Sequence, residues 1–224
     1  MKKVLVLLVV GTMLATPAFA AGIRNSKHDL SSTGGQTIRA ASGGETCVFC
    51  HTPHGGATGI LAPLWNRSVP AGGTFAAADL YNSATLDQSN SNPTTVLNAV
   101  NNSDAPLCYS CHDGGSLVGG LTNPSNADGQ PADGNLSNGV SGFMNIGPNL
   151  TNDHPIGMDY GAVQTDDTAG FNAETTANQF VGTLPLFTAS GVMWCSSCHD
   201  VHDQGAGQPF LVLSNNGSLL CTTC

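Results

Sequence analysis

Hydrophobic and polar residues follow no sustained rhythm along this chain. The one long apolar run spans residues 4 to about 14, behind Lys2 and Lys3. Further on, residues 94–100 read as a short helix, because Asn92 suits an N-cap and Pro93 the first helical position. Residues 76–82 and 174–181 are weaker helix candidates. The stretches 113–153 and 203–219 are rich in Gly, Asn, Ser, Asp and Pro and read as loops. No convincing succession of alternating strands is present. The expected fold is mostly irregular coil with short helices and little or no sheet.

The apolar run ends near Pro17, which precedes Ala18, Phe19 and Ala20. That is a small-x-small cleavage site, so residues 1–20 read as a secretory signal peptide. No Cys follows the cut, which speaks against a lipoprotein. The run is short for a membrane anchor, and no later stretch is long and apolar enough to cross a bilayer. The expectation is an exported protein without a membrane span, with residues 21–224 as its one domain.

Only 9% of residues are charged and 40% are hydrophobic. Ordinary domains carry about 25% charged residues, so this surface is mostly neutral and polar. Aromatic residues make up 6%, thin for a core built from side chains alone. Fifteen acids against six bases exclude a nucleic-acid partner, which needs a basic footprint. Arg67 is the last base, and thirteen acids follow it.

All eight cysteines fall in Cys-x-x-Cys pairs: Cys47/Cys50, Cys108/Cys111, Cys195/Cys198 and Cys221/Cys224. His51, His112 and His199 directly follow the first three pairs. Cys-x-x-Cys-His is the attachment signature of c-type haem. Two thiols add across the two vinyl groups of one haem, and the adjacent His sits under the iron. Disulfides and zinc are weaker accounts. Thiols this close staple little chain, and zinc sites do not call for a His after each second Cys. The fourth pair ends at Cys224, and the pattern leads one to expect a His directly after it.

Seven histidines are present, and three are these proximal candidates. His28, His54, His154 and His202 remain as candidate distal iron ligands. Four irons with two His each need eight, which the seven plus one after Cys224 would supply. His54 and His202 recur in the same place: Cys47 to His54 and Cys195 to His202 share Cys-x-x-Cys-His-x-x-His. A His three residues past the proximal one cannot round its own haem, so each is expected to serve a neighbouring haem. Pro155 biases His154 toward an extended backbone. His28, near the mature N-terminus, has three open roles: free, ligating its own chain, or ligating another chain. Met144, Met158 and Met193 are expected to pack rather than ligate. Trp65, Trp194, Phe49 and Tyr109 are expected to pack on porphyrin, with haems standing in for a missing apolar core.

These motifs resemble the multihaem c-type cytochromes that carry Cys-x-x-Cys-His-Thr-Pro-His. The number and order of sites, the early His28 and the close pair at Cys195–Cys224 are similar to the OmcE-type tetrahaem cytochromes, which polymerise into extracellular filaments. The resemblance implies four haem c groups, bis-His ligated and stacked in one chain wrapped by polypeptide. It implies a self-polymer in which His28 ligates a haem of the neighbouring subunit. The expected function is electron transfer at the cell surface or outside the cell, toward redox partner proteins or an extracellular acceptor, and not catalysis. The rivals are a soluble periplasmic shuttle and a multihaem reductase with one open iron.

Overall fold

The structure, a computed structural model, describes residues 22–58, 61–68, 75–87, 89–115, 117, 120–123, 136–147, 149–153, 155–175, 180–186, 191–202 and 210–224. The signal-peptide reading of residues 1–20 and the ligand candidate His154 lie outside them.

Most of the described chain is turns and irregular segments joined by short helices. Helix α1 is Pro93–Asn101, and it starts as its sequence dictates. The Asn92 side chain accepts from the backbone N–H of Thr94 at 3.0 Å and of Thr95 at 3.2 Å. Val96, Ala99 and Val100 recur at helical spacing and are buried. Ser103 then turns the chain by bonding the Val100 carbonyl at 2.6 Å and accepting from the Ala105 N–H at 3.0 Å. Helix α2, Ala105–His112, follows at once and packs on α1. The candidate helix at 76–82 is a single 3-10 turn, Ala77–Asp79.

The chain does contain sheet, which corrects the expectation of little or none. Strand β1 (Met158–Asp159) leads into helix α3 (Tyr160–Asp166), capped by the Asp159 carboxylate on the Ala162 N–H. Strands β2 (Glu174–Thr175), β3 (Phe180–Val181) and β4 (Leu184–Pro185) form an antiparallel sheet. Strand β5 (Val192–Met193) pairs antiparallel with β1, setting Met158 opposite Met193. The described ends of the helix candidate at 174–181, Glu174–Thr175 and Phe180–Val181, are therefore strands. Gly182, at φ 58°, reverses the chain after β3, and fully buried Val181 and Leu184 flank it. Burial of that pair overrides a weak helical preference. Two-residue strands leave too little alternation to read from sequence.

Among the described residues, side chains build three small cores. One joins α1 and α2 through Val96, Val100, Ala105 and Tyr109 to Phe75, Leu150 and Val192. A second gathers Tyr160, Val163, Val181, Leu184 and Leu220 with Met158 and Met193. A third joins Ala40, Val48 and Phe49 to Leu117 and Leu136. Helix α4 (Cys195–Cys198) and helix α5 (Leu219–Thr222) are single turns against these cores.

Candidate functional site

Each Cys pair lies on or at the end of one helical turn. Cys47–Phe49 is a 3-10 turn, Cys108 and Cys111 sit in α2, Cys195 and Cys198 bound α4, and Cys221 lies in α5. A spacing of three on a helix brings two side chains to one face. Backbone bonds close two of the turns, from the His51 N–H to the Cys47 carbonyl at 2.7 Å and from His199 to Cys195 at 3.0 Å. All eight cysteines are free thiols.

The pairs are neighbours in chain order. Cys50 lies near Cys111, Cys108 lies near Cys195 while its thiol donates to the Asp104 carbonyl at 3.6 Å, and Cys198 lies near Cys224 and Cys221. Burial, with Cys111 beside it, pushes the Cys50 thiol up to about 12. Burial and then Cys224 push Cys198 up to about 11. These sulfurs are protonated at neutral pH. Among the described residues, no three His, Cys, Asp or Glu side chains converge as a metal cluster.

The repeated Cys-x-x-Cys-His-x-x-His is also a structural repeat. In the first copy, Thr52 donates to the Leu64 carbonyl and Asn66 to Cys50, making a bridge between His51 and Trp65. In the other, Asp200 donates to Phe210 and Val212 to Cys198, making a bridge between His199 and Leu211. Leu64 and Phe210 hold matching left-handed backbones, φ 53° and 56°. In each copy a returning segment clamps the His just after the second Cys.

Two proximal candidates are oriented by their inner ring nitrogen. His51 Nδ1 bonds the Pro63 carbonyl at 2.8 Å, and His112 Nδ1 bonds the Met144 carbonyl at 2.7 Å. A carbonyl only accepts, so Nδ1 carries the proton and the Nε2 lone pair is left for a metal.

Two histidine pairs come together. His51 and His202 have ring centroids 6.2 Å apart, their planes at 22°. His28 and His112 are also 6.2 Å apart, at 76°. A metal bonds imidazole nitrogen at about 2.0–2.1 Å, which sets the centroids of two opposed ligands about 6.3 Å apart. Both pairs have that separation. Burial first, then the His112 and His199 rings, push His28 down to about 4, so it is neutral at neutral pH. His199 is half-buried. His54 is exposed, its carbonyl accepting from Thr52 Oγ1 at 2.8 Å and Asn123 Nδ2 at 3.0 Å, and no described ring packs on it.

His28 thus lies beside His112 of its own chain. Among the packing candidates, Trp65, Phe49 and Tyr109 are buried among side chains, as are Met158 and Met193, while Met144 is exposed. Sequence reasoning missed Phe210, which stacks on His28 at 4.5 Å with planes 10° apart. It also missed Asp104, whose carboxylate accepts from Trp194 Nε1 and Ser196 Oγ and so ties α2 to the third Cys pair. The Asp104-Ala-Pro106 start of a helix was the available signal.

No protein-family model matches the chain, and a comparison with curated proteins returns no relative.

Proposed function

We propose that this chain is a multihaem c-type cytochrome that transfers electrons. The observation that carries the reading is the spacing of the two histidine pairs, each containing a His that directly follows a Cys-x-x-Cys turn. When bound, haem supplies one-electron chemistry at its iron. Cys47/Cys50, Cys108/Cys111, Cys195/Cys198 and Cys221/Cys224 would hold the four groups by thioether bonds. His51 with His202, and His112 with His28, would hold the first two irons. His199 would hold the third, and His54 and His154 remain for the others.

The chain's own part is positioning. Carbonyl bonds at Nδ1 fix two rings, the returning segments clamp His51 and His199, and the run of neighbouring cysteines sets successive sites side by side. Two His on an iron would leave it closed to substrate, and the seven His of this sequence could close three of the four in that way, which favours electron transfer over a reductase. The acidic second half favours ferric iron and so low potentials. Export to the periplasm or cell surface, directed by residues 1–20, belongs to the same proposal.

The resemblance extends this to an extracellular filament, while the intrachain neighbours of His28 favour a soluble periplasmic shuttle. Protein exported by a host that attaches haem separates the two. Size-exclusion chromatography with light scattering gives one subunit for the shuttle and a polymer for the filament. Low-spin ferric signals from every iron support electron transfer, and a high-spin iron in the full-length protein would return the reductase.

A further inference from the structure

Two buried N–H donors near the first Cys pair have no hydrogen-bond partner among the described residues: Trp65 Nε1 and Arg67 Nε. Trp65 is 8% exposed and Arg67 is 5% exposed. They are two apart on one extended segment, so they share a face. The residue between them is committed elsewhere, Asn66 Nδ2 bonding the carbonyls of Val48 and Asn123 at 2.7 Å each. Among the described residues the guanidinium makes one weak bond, Nη1 to the Leu117 carbonyl at 3.5 Å, and it lies against Gly120, where any Cβ would clash with Nη2. The ion pairs among the described residues comprise only His202 with Asp200, so no described carboxylate neutralises Arg67. A buried cation without an anion is strongly unfavourable. Its charge is felt at both Cys50 and Cys111.

We propose that Trp65 and Arg67 form a buried anion seat that receives a propionate carboxylate of a haem carried by the first two Cys pairs. This rests on the haem reading. Arg supplies a charged fork for a carboxylate, and the indole supplies a neutral donor beside it. By offsetting the negative charge of the propionate, Arg67 favours the reduced state there. The N-terminal haems then have higher potentials than the C-terminal ones, which lie in a stretch without any base.

The test uses the haem-loaded, full-length protein with Arg67→Gln, Arg67→Lys and Trp65→Phe. Intact mass gives the haem count, and spectroelectrochemical titration gives the midpoint of each component. In Arg67→Gln the highest-potential component is expected to shift down, its ferrous-to-ferric ratio at fixed potential falling roughly three- to tenfold. Arg67→Lys should restore most of that shift, which a merely structural role would not do. If Arg67→Gln fails to mature, Trp65→Phe carries the test: charge is kept, and the same component should fall by a smaller factor. Four haems with unmoved midpoints in the variants that mature would overturn the anion seat alone. A wild-type mass without haem would overturn both readings.

Discussion

The imidazole rings of His28 and His112 lie 6.2 Å apart, and Phe210 stacks on His28 at 4.5 Å. A residue from the N-terminal turn is thereby held against the end of α2. If the two rings share an iron, His28→Ala leaves that iron with one ligand. Electron paramagnetic resonance should then show one haem turned high-spin while the subunit's hydrodynamic size stays the same. Uniformly low-spin signals from the variant would refute the pairing.

The turn carrying His28 is pinned by Asp29. Its buried carboxylate accepts from the Asn25 N–H at 2.7 Å, the Ser31 N–H at 3.2 Å and the Ser31 hydroxyl at 2.6 Å. Asp29→Ala strands two backbone donors and should cost about 2–3 kcal/mol. Hydrogen exchange should quicken in residues 22–46 more than in α1. Equal protection in both proteins would show that the turn is held by other contacts.

Asp104 couples the second and third Cys pairs through its bonds to Trp194 and Ser196. Charge-assisted bonds of this kind are worth about 1.5–3 kcal/mol. Asp104→Ala is therefore expected to lower stability by about 2–3 kcal/mol in denaturant titration, and Asp104→Asn by less. A midpoint unchanged in both variants would mean that α2 and α4 are joined by packing alone.

Glu174 stands over Gly161 with Oε1 buried and without a hydrogen-bond partner among the described residues. Burial, with Asp159 nearby, holds its carboxyl above the usual carboxylate range. The folded state therefore binds this proton more tightly than the unfolded chain, and stability is lost as pH rises through the raised value. Glu174→Gln should raise Tm at pH 7.5 and show a smaller gain at pH 4. A gain of equal size at both pH values would contradict this sign.

What the sequence made legible were features written in single residues. Asn92 and Pro93 announced α1, and the Cys-x-x-Cys pairs were plain in the sequence, but the helical turns that carry them were not read from it. Spacing along the chain does not encode partners in space, so His51 with His202 and His28 with His112 became visible only once the chain was folded. The returning segments at Leu64 and Phe210 begin after Pro63 and Pro209, a faint echo in sequence that matters because each one clamps a His. Strands β2 and β3 were misread because Glu174-to-Val181 has moderate helical preference, while burial of Val181 and Leu184 determined the outcome. The three small cores were hidden by composition, since low aromatic content says little about how tightly Val, Leu and Ala pack.

The central claim is that the cysteines carry covalent haem. Intact-mass spectrometry of the protein secreted by a host able to attach haem tests it directly, with an alkaline pyridine spectrum on the same sample. Four haem additions and the absorption bands of thioether-linked haem are the predicted result. A mass equal to the polypeptide alone, with or without disulfides, would contradict it.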